Sequence, residues 1–480
     1  MNDRIKDLTG VTLVAESGRK YTLTGQAGRG AQGVVYEESG NNYMVKLYYP
    51  SGSASIDADV LDRIRYIKNL DMPRNFVSVV DLITHPYIGY VMDKVTGHKP
   101  LNSYLIPDRD MSFSEWYNQG LGLYERIFVG YIIAKAFGEL EKSNLSYCDI
   151  SGNNILVRVA KGTSASVKMI DVDNIYTAGR GKAAIIGTPR YIAPEVISRQ
   201  RTPDVLSDNY SLAVILFELL RAGHPYIGDD VLDGTPEDEE NALAGNAEYV
   251  TEENSSNMLP EDVVFTDKLK KLFRRCFVDG KHNRLNRPSA TEFEYALLEA
   301  SNKLIKCPSC GAWHYPRKEG KSYLGCPWCD SPSKPTAMLN FYDILFDGPD
   351  YRSDEASGTE KERKLVNSYF LKAGSKNRIK GLYALRFDGV GNEKMSTENY
   401  ATIAYAQDGC HVYNEFGKDG IVVKPYGTNE YIKIENNGER LLRSGDEIYF
   451  ETDDGKGIAI ECGGEKYSFI RMARFSEEKS

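Results

Sequence analysis

Long apolar runs are absent from this chain of 480 residues. No stretch approaches the roughly 20 apolar residues that a membrane-spanning helix needs. The first six residues, Met1 to Lys6, are mostly polar or charged and do not begin a signal peptide. These absences predict a soluble, cytoplasmic protein that does not bind a membrane.

Positively charged residues are outnumbered by negatively charged ones: the chain has 59 Lys or Arg and 68 Asp or Glu, which gives a net charge of −9. Residues 227–267 contain thirteen Asp or Glu and no Lys or Arg. A solvated insert explains this segment, and a docking surface for a basic partner is the alternative. The acidic balance argues against nucleic acid as a partner.

Cysteine is scarce, and half of the eight cysteines are scattered without the spacing of a disulfide framework, which suits a reducing compartment. The other four form two C-x₂-C pairs separated by fifteen residues: Cys307 with Cys310, and Cys326 with Cys329. Two such turns supply the four thiolates of a tetrahedral zinc site, so the pattern predicts a zinc ribbon. Iron in place of zinc stays open on ligand type, and two disulfides are the competing account.

A pair of polar residues on one predicted loop indicates phosphoryl transfer. Asp149 precedes Asn154 by five residues, and Asp171 follows Asn154 by seventeen. This arrangement supplies one base for a hydroxyl group and two oxygen ligands for Mg²⁺.

A glycine-rich segment lies upstream, between strands predicted at residues 19–24 and 43–49. A strand follows it, which argues against a dinucleotide-binding fold, where a helix would follow. Lys46 lies in the second strand, where its charge can hold the α and β phosphates of ATP. The segment has the pattern G-x-G-x-x-G-x-V, formed by Gly28, Gly30, Gly33 and Val35.

These motifs, in this order, resemble those of the eukaryotic-type protein kinases over about residues 14–301. The resemblance implies a bilobal α+β fold that uses ATP and Mg²⁺ to phosphorylate Ser/Thr hydroxyls of proteins, in a signalling or stress-response role. It implies that Asp149 is the catalytic base, that Asn154 and Asp171 bind Mg²⁺, and that Lys46 holds phosphate. Further ATP contacts implied by the family are the glycine loop with Val35, the hinge residues Met92, Asp93 and Val95, and Leu156 beneath adenine.

The C-terminal half of this region carries three further matches. The run from Gly187 to Glu195 resembles the end of a Ser/Thr kinase activation segment, although Tyr as the acceptor stays open. In the family, an arginine pairs with the Glu that ends the activation segment. Arg287 resembles that arginine, and Glu195 is the matching Glu. Asp208 resembles the buried carboxylate that anchors the catalytic loop.

The chain departs from the family pattern next to these residues. Tyr147 and Cys148 replace His-Arg, so no guanidinium there can bind a phosphorylated activation loop. Ser151 replaces a lysine that touches the γ-phosphate. Val172 and Asp173 replace the Phe-Gly of the metal-binding triplet.

The acid that pairs with the strand lysine is another departure, because no Glu occurs between Glu38 and Glu115. The family takes this Glu from a helix. Here Asp57, Asp59 and Asp62 are the candidates, on an apolar-periodic helix, and spacing from Lys46 favours Asp62.

A nucleotide-binding pseudokinase that acts as a scaffold through its ribbon and β-domain is the alternative function. The presence of Lys46, Asp149, Asn154 and Asp171 favours catalysis. Tyr176 and Thr177 are the candidate autophosphorylation sites.

Short strands with intervening turn residues predict an antiparallel β-sandwich at the C-terminus. Residues 436–450 resemble the end of a forkhead-associated domain, and the likeness covers about residues 365–475. The family's phosphothreonine motif is degenerate here, so a sandwich that docks a protein partner is the alternative to a phosphoprotein reader. The residues that could replace the motif are Arg378, Arg386, Ser396 and Thr397.

The sequence therefore predicts four segments. They are a kinase domain at 1–301, a zinc ribbon at 302–335, a linker at 336–362 and a forkhead-associated-like β-sandwich at 363–480.

Overall fold

The computed structural model describes most of the chain as two units, Met1–Leu298 and Glu299–Ser480. The first unit mixes helices and strands, and the second consists mainly of strands. No helix among the described residues combines the length and apolarity needed to cross a membrane. The described residues are 5–107, 110–160, 164–177, 187–320, 322–347, 360–371, 374, 376–380, 399–417, 420–450, 458–462 and 465–477.

A six-stranded antiparallel sheet begins the first unit. Its strands are β1 (Thr12–Val14), β2 (Lys20–Arg29), β3 (Gly33–Glu38), β4 (Tyr43–Tyr48), β5 (Val79–Ile83) and β6 (Gly89–Asp93), in the order β1-β2-β3-β4-β6-β5. Side chains alternate between the two faces, so that Tyr21 and Leu23 are buried whereas Lys20 and Thr24 are exposed. Both predicted strands are present in this sheet.

Helix α1 (Ala54–Lys68) follows β4 and buries Ile64 and Ile67, as the apolar spacing predicts. It packs against β5 and against the 3₁₀ turn Val172–Asn174. The helix therefore borders the residues that follow Asp171.

The rest of this unit is mainly helical, around the buried helix α5. The helices are α2 (Phe113–Gln119), α3 (Leu123–Lys142), α4 (Pro194–Ile197), α5 (Val205–Arg221), α6 (Asp229–Leu232), α7 (Pro236–Asn241), α8 (Glu261–Val264), α9 (Asp267–Arg274), α10 (Gly280–His282) and α11 (Ala290–Asn302). Every residue of α5 from Ser207 to Arg221 is buried. A capping box between Asp204 and Ser207 begins this helix.

A hairpin brings the candidate metal ligands together. The strands are β7 (Lys99–Pro100), β8 (Leu145–Ser146), β9 (Ile155–Ala160), β10 (Ser164–Met169) and β11 (Tyr176–Thr177). In the antiparallel β9–β10 pair, Ile155 faces Met169. Asn154 directly precedes β9 and Asp171 follows β10 by two residues, so both lie at the same end of the hairpin.

The second unit contains four two-residue strands near the cysteine pairs and then two antiparallel sheets. The short strands are β12 (Ile305–Lys306), β13 (Trp313–His314), β14 (Lys318–Glu319) and β15 (Ser322–Tyr323). The larger sheets hold β16 (Ala337–Asp347), β17 (Glu360–Phe370), β18 (Lys376–Lys380), β19 (Asn399–Ala406), β20 (Gly409–Tyr413), β21 (Ile421–Lys424), β22 (Ile432–Lys433), β23 (Glu439–Leu442), β24 (Glu447–Phe450), β25 (Ile458–Cys462) and β26 (Glu465–Glu477).

One sheet has the order β17-β16-β26-β24-β21-β22, with β25 also paired to β26, and the other has the order β18-β19-β20-β23. The predicted all-β fold of this region is confirmed. The closer resemblance to forkhead-associated domains stays a prediction.

The structure corrects the predicted linker at 336–362. Within it, Ala337–Asp347 forms an eleven-residue strand that pairs along its whole length with β26 and also pairs with β17. Ala337, Leu339 and Phe341 are buried on one face of this strand. Residues 337–347 therefore belong to the sheet.

Candidate active site and metal centre

The loop before Asp149 is fixed by the buried carboxylate of Asp208 on α5. Asp208 accepts hydrogen bonds from the backbone N–H groups of Tyr147 at 2.5 Å and Cys148 at 3.1 Å. Cys148 has a φ of 67°, a left-handed conformation that is costly for a residue with a side chain. Burial raises the pKa of Asp208 to about 7, although the two N–H donors oppose this shift. Asp208 thus occupies the anchoring position that the sequence indicates.

Tyr147 joins this loop to the segment that leads to Asp171. Its hydroxyl donates a hydrogen bond to the carbonyl oxygen of Ile170. Its ring packs against Phe76 and Phe137, with centroid separations of 5.6 and 5.7 Å. The aromatic residue that replaces the family's histidine therefore holds the two halves of the site together.

Asn154 closes the loop between Asp149 and the hairpin. The side-chain Nδ2 of Asn154 donates to the backbone oxygen of Asp149 at 3.0 Å. The backbone oxygen of Asn154 accepts a hydrogen bond from Ile170 N–H at 2.9 Å. Because Nδ2 is used within the loop, the Oδ1 atom of Asn154 is the part of its amide that can bind a cation. These bonds bring Asp149, Asn154 and Asp171 into one site.

Lys46 is buried beside two carboxylates. Its Nζ lies 3.2 Å from Asp171 Oδ1 and 3.1 Å from Asp173. Asp173 is fully buried and also accepts hydrogen bonds from the hydroxyls of Tyr48 and Tyr90. Burial alone would lower the pKa of Lys46, but the charges of Asp173 and Asp171 outweigh it, so the pKa is raised. The strand lysine thus has two acidic partners, and neither comes from α1.

Asp62 does not contact Lys46 in the structure. Its side chain is 76% exposed and pairs with Arg65 on its own helix, at 3.1 Å. The side chain of Lys46 instead reaches the 3₁₀ turn, where Asp173 stands in the position expected for Asp62. The assignment of Asp62 as the partner of Lys46 is therefore corrected.

The site carries more negative than positive charge. Burial raises the pKa of Asp149, and the nearby charges of Asp171 and Asp173 raise it further, against the opposing effects of a hydrogen bond from Asn154 and the charge of Lys46. Three carboxylates therefore share this site with one buried ammonium group. Carboxylate and amide oxygens are the ligands that Mg²⁺ prefers, so the donor set fits this cation.

The glycine loop forms the turn between β2 and β3. Gly28 pairs with Val35, and Gly30 N–H donates to Gly33 O at 2.9 Å. A Cβ atom on Gly33 would overlap the backbone of β4, whereas open space surrounds Gly28 and Gly30. Val35 on β3 is the cross-strand neighbour of Lys46 on β4. The loop therefore leaves room for a ligand next to the strand that carries the lysine.

The predicted adenine contacts follow the same sheet. Met92 is buried and Asp93 is exposed at the end of β6, and Val95 follows in the segment that leads to β7. Pro100 of β7 pairs with Leu156 of β9. The segment after β6 thus returns to the strand that carries Leu156.

Glu195 and Arg287 form a two-pronged ion pair in which Arg287 is buried and Glu195 is partly buried. The Nη1 and Nη2 atoms of Arg287 donate to the two carboxylate oxygens of Glu195 at 2.7 and 2.8 Å. The guanidinium also lies over the ring of Tyr210, 5.1 Å from its centroid. Burial raises the pKa of Glu195, but the hydrogen bonds and charge of Arg287 outweigh it and lower the pKa.

A cavity of about 650 Å³ lies next to the loop between Asp149 and Asn154. Ser151 and Gly152 line one part of it, and Thr188 and Arg190 line another. Arg190 Nε lies 2.5 Å from Glu218, whose side chain is only 4% exposed. A protein segment that approaches Asp149 could enter this cavity.

Sequence reasoning missed four of these residues. Tyr48 lies two positions after Lys46, so strand alternation places both side chains on one face. Arg190 directly follows the Gly-Thr-Pro motif, which is a signal for its location. Tyr90 and Glu218 reach the site only through long-range packing, and the sequence carries no local signal for them.

Several predicted residues fall at or beyond the limits of the described structure. Tyr176 is half-buried and pairs with Ser146 through the backbone, whereas the side chain of Thr177 lies outside the described residues. Also outside are Arg386, Ser396, Thr397 and the side chain of Arg378.

The four ribbon cysteines meet in one cluster. Their sulfur atoms all lie within 4.8 Å of one another, with Cys307 and Cys329 at 3.7 Å and Cys310 and Cys326 at 3.8 Å. Each C-x₂-C pair closes a backbone turn, and Gly311 N–H donates to Cys307 O at 3.0 Å in the first. A disulfide would need about 2.0 Å between sulfurs. The spacing fits a shared metal ion.

The chain matches the protein kinase domain family over residues 21–296. It is similar to Protein kinase YegI of Escherichia coli (strain K12), with 24% identity over 353 residues that cover 67% of this chain and 50% of that protein. The chain therefore spans about half the length of this curated relative.

Two eukaryotic kinases match shorter stretches. One is the cGMP-dependent protein kinase, isozyme 2 forms cD5/T2, of Drosophila melanogaster, with 35% identity over 100 residues, 20% of this chain and 10% of that protein. Another is Calcium-dependent protein kinase 20 of Oryza sativa subsp. japonica, with 27% identity over 231 residues, 46% of this chain and 39% of that protein. The family match covers more than half of the chain, and the chain belongs to the protein kinase family.

Proposed function

We propose that this protein transfers the γ-phosphate of ATP to Ser or Thr hydroxyls of protein substrates, itself included. The observation that carries the proposal is the meeting of Asp149, Asn154, Asp171 and Lys46 in one acidic site. All four groups are those that phosphoryl transfer requires for metal binding, phosphate positioning and orientation of the hydroxyl.

Each residue has a distinct role in this proposal. Asp149 orients the acceptor hydroxyl and takes its proton, which its raised pKa favours at neutral pH. Asn154 and Asp171 hold Mg²⁺, which neutralises charge on the β and γ phosphates when bound. Lys46 holds the α and β phosphates.

The nucleotide would lie between the glycine loop and β9. Open space at Gly28 and Gly30 allows backbone N–H groups to approach phosphate. Adenine would bind the backbone between Met92 and Val95 and rest on Leu156. The protein substrate would enter the cavity beside Ser151.

The second unit would choose the partner. Its four-cysteine cluster would hold Zn²⁺ and fold the ribbon around it. The β-domain would bind a protein or phosphoprotein in a signalling or stress response. The scattered cysteines, Cys148, Cys276, Cys410 and Cys462, lack the spacing of a disulfide framework, which supports a reducing, cytoplasmic location.

Incubation of the full chain with γ-labelled ATP and Mg²⁺ tests the proposal. We expect label on the protein that Asp149→Ala abolishes, and mass spectrometry would show whether Tyr176, Thr177 or another residue accepts it. Asp71→Asn is the matched control, since it removes an exposed carboxylate from the same domain.

Two outcomes would count against this function. Equal labelling of the wild type and Asp149→Ala would mean that another group performs the chemistry. ATP binding without labelling of the chain or of added protein acceptors would favour a pseudokinase scaffold.

A further inference from the structure

We propose that Asp173 is the residue that positions Lys46 for the nucleotide, in place of an acid from helix α1. The inference rests on the proposed kinase function and adds a positioning residue to it. Lys46 Nζ lies 3.1 Å from Asp173. Asp173 occupies the position at which the kinase pattern has a glycine, so the chain gains a carboxylate where the family has no side chain.

Asp173 is held in a site built for a charged carboxylate. Lys46 donates to it, and so do the hydroxyls of Tyr48 and Tyr90. Tyr90 is the cross-strand neighbour of Lys46, and Tyr48 lies two residues further along β4. A fully buried carboxylate requires this number of donors, because an unpaired buried charge is costly. The two tyrosines therefore fix the carboxylate where it meets the ammonium group.

Helix α1 does not offer an alternative acid. Asp62 faces solvent and binds Arg65, Asp59 is exposed, and Asp57 accepts a hydrogen bond from a backbone N–H at the helix start. The side chain of α1 whose charge acts on Asp173 is Arg63, which is half-buried. Its Nε atom is buried and has no hydrogen-bond partner among the described residues. The helix thus presents a cation where the family presents an acid.

Asp171 is the less suitable permanent partner. Its side chain is 32% exposed, whereas that of Asp173 is fully buried. Asp171 is also a proposed Mg²⁺ ligand, and the oxygens of Asp173 are already bound by protein donors. Asp173 therefore serves as the fixed partner of Lys46, and its contact with the lysine does not depend on an acid brought in by α1.

Initial rates of autophosphorylation against ATP concentration, measured on the full chain, test this assignment. We expect Asp173→Asn to lower kcat about 10- to 100-fold, with a smaller change in the KM for ATP, because Lys46 acts mainly on the transition state. Asp62→Asn should leave both values unchanged. If the wild type is active and the Asp173→Asn variant has the same kcat, the inference is overturned and the proposed function stands. An inactive wild type would instead count against the function.

A charge relocation separates positioning from a merely structural role. Asp173→Gly restores the family's glycine and should lower kcat. The double variant Asp173→Gly, Arg63→Glu should recover part of the lost kcat, because it places an acid on the face of α1 that meets the site. Adding Asp62→Glu should recover nothing, because position 62 faces solvent. Recovery with Asp62→Glu alone would return the role to position 62 and overturn the inference.

A milder variant covers the case in which Asp173 variants fail to fold. Tyr48→Phe removes one donor to Asp173 and keeps the ring. We expect kcat several-fold below the wild type and a lower thermal midpoint, because the buried carboxylate loses one donor, whereas the KM for ATP should stay nearly unchanged. Wild-type kcat in this variant would contradict the proposed positioning.

Discussion

Removal of one ribbon thiol should release a metal ion and unfold the ribbon. Cys329→Ala is the clearest change, because this side chain is exposed and its loss removes little packing. The four sulfurs lie within 4.8 Å of one another, as the ligands of one metal ion would. We expect one zinc ion per wild-type chain and a large loss of bound zinc in the variant.

The sulfur separations identify the kind of metal site, and the kind of site gives the size of the expected effect on folding. Zn–S bonds of about 2.3 Å in a tetrahedron place sulfurs about 3.8 Å apart. The separations of 3.7 and 3.8 Å agree with this value. Structural zinc sites of this kind contribute about 10 to 16 kcal/mol to folding, so a small ribbon without its metal should not stay folded.

Elemental analysis and fluorescence provide the assay. The ribbon contains two of the three tryptophans of the chain, and Trp328 donates a hydrogen bond to the backbone of Trp313 at 3.4 Å. Chelation should therefore shift tryptophan emission in the wild type. Cys410→Ala removes a thiol outside the cluster and should keep the metal. Equal metal content in Cys329→Ala and Cys410→Ala, or two disulfides in the native protein, would refute the reasoning, and bound iron would correct the metal.

Three further changes test the kinase unit. Arg287→Ala should lower the free energy of unfolding by about 3 kcal/mol, because it leaves the mostly buried carboxylate of Glu195 without its main partner. Chemical denaturation would measure this, and a loss below about 1 kcal/mol would contradict a tight pair. The folded-state pKa of Asp208 is raised to about 7 from 3.8, so this group stabilises the fold at low pH and loses that contribution as the pH rises towards 7. The Asp208→Asn variant should therefore show a less negative slope of unfolding free energy against pH between pH 5.5 and 7, by up to about 1.4 kcal/mol per pH unit, and an unchanged slope would contradict the burial argument. Gly33→Ala should destabilise the chain by about 1 to 3 kcal/mol in thermal unfolding, whereas Gly25→Ala, where a Cβ meets open space, should have a smaller effect.

The parts of the site that the sequence could predict are those with fixed local spacing. Asp149 and Asn154 share one loop, and the hairpin β9–β10 returns the chain to Asp171, so short-range geometry brings these residues together. The same holds for the two C-x₂-C turns. In both cases a few residues determine the geometry without knowledge of distant contacts.

The partner of Lys46 could not be predicted in this way. Asp173 lies 127 residues further along the chain, and its contact with Lys46 depends on how the sheet packs on the 3₁₀ turn. The prediction of Asp62 relied on spacing along α1, but successive helix residues differ by about 100° in direction. One step along the helix separates Asp62, which faces solvent, from Arg63, which is half-buried and whose charge acts on Asp173.

The predicted linker was wrong for a related reason. Residues 337–347 are rich in aromatic and branched apolar side chains, which is typical of a strand. The neighbouring turn-rich segments concealed it, and its main partner β26 lies more than a hundred residues later. Pairing over that distance is a tertiary property that composition cannot indicate.

Binding and transfer measured on the same samples test the central claim most directly. Calorimetry would give the affinity for ATP with Mg²⁺, and γ-label would give the rate of transfer, in the wild type and in Asp149→Asn. We predict similar affinities and a rate at least about 100-fold lower in the variant, because the acceptor hydroxyl loses its base. Equal transfer rates in the two proteins would contradict the account.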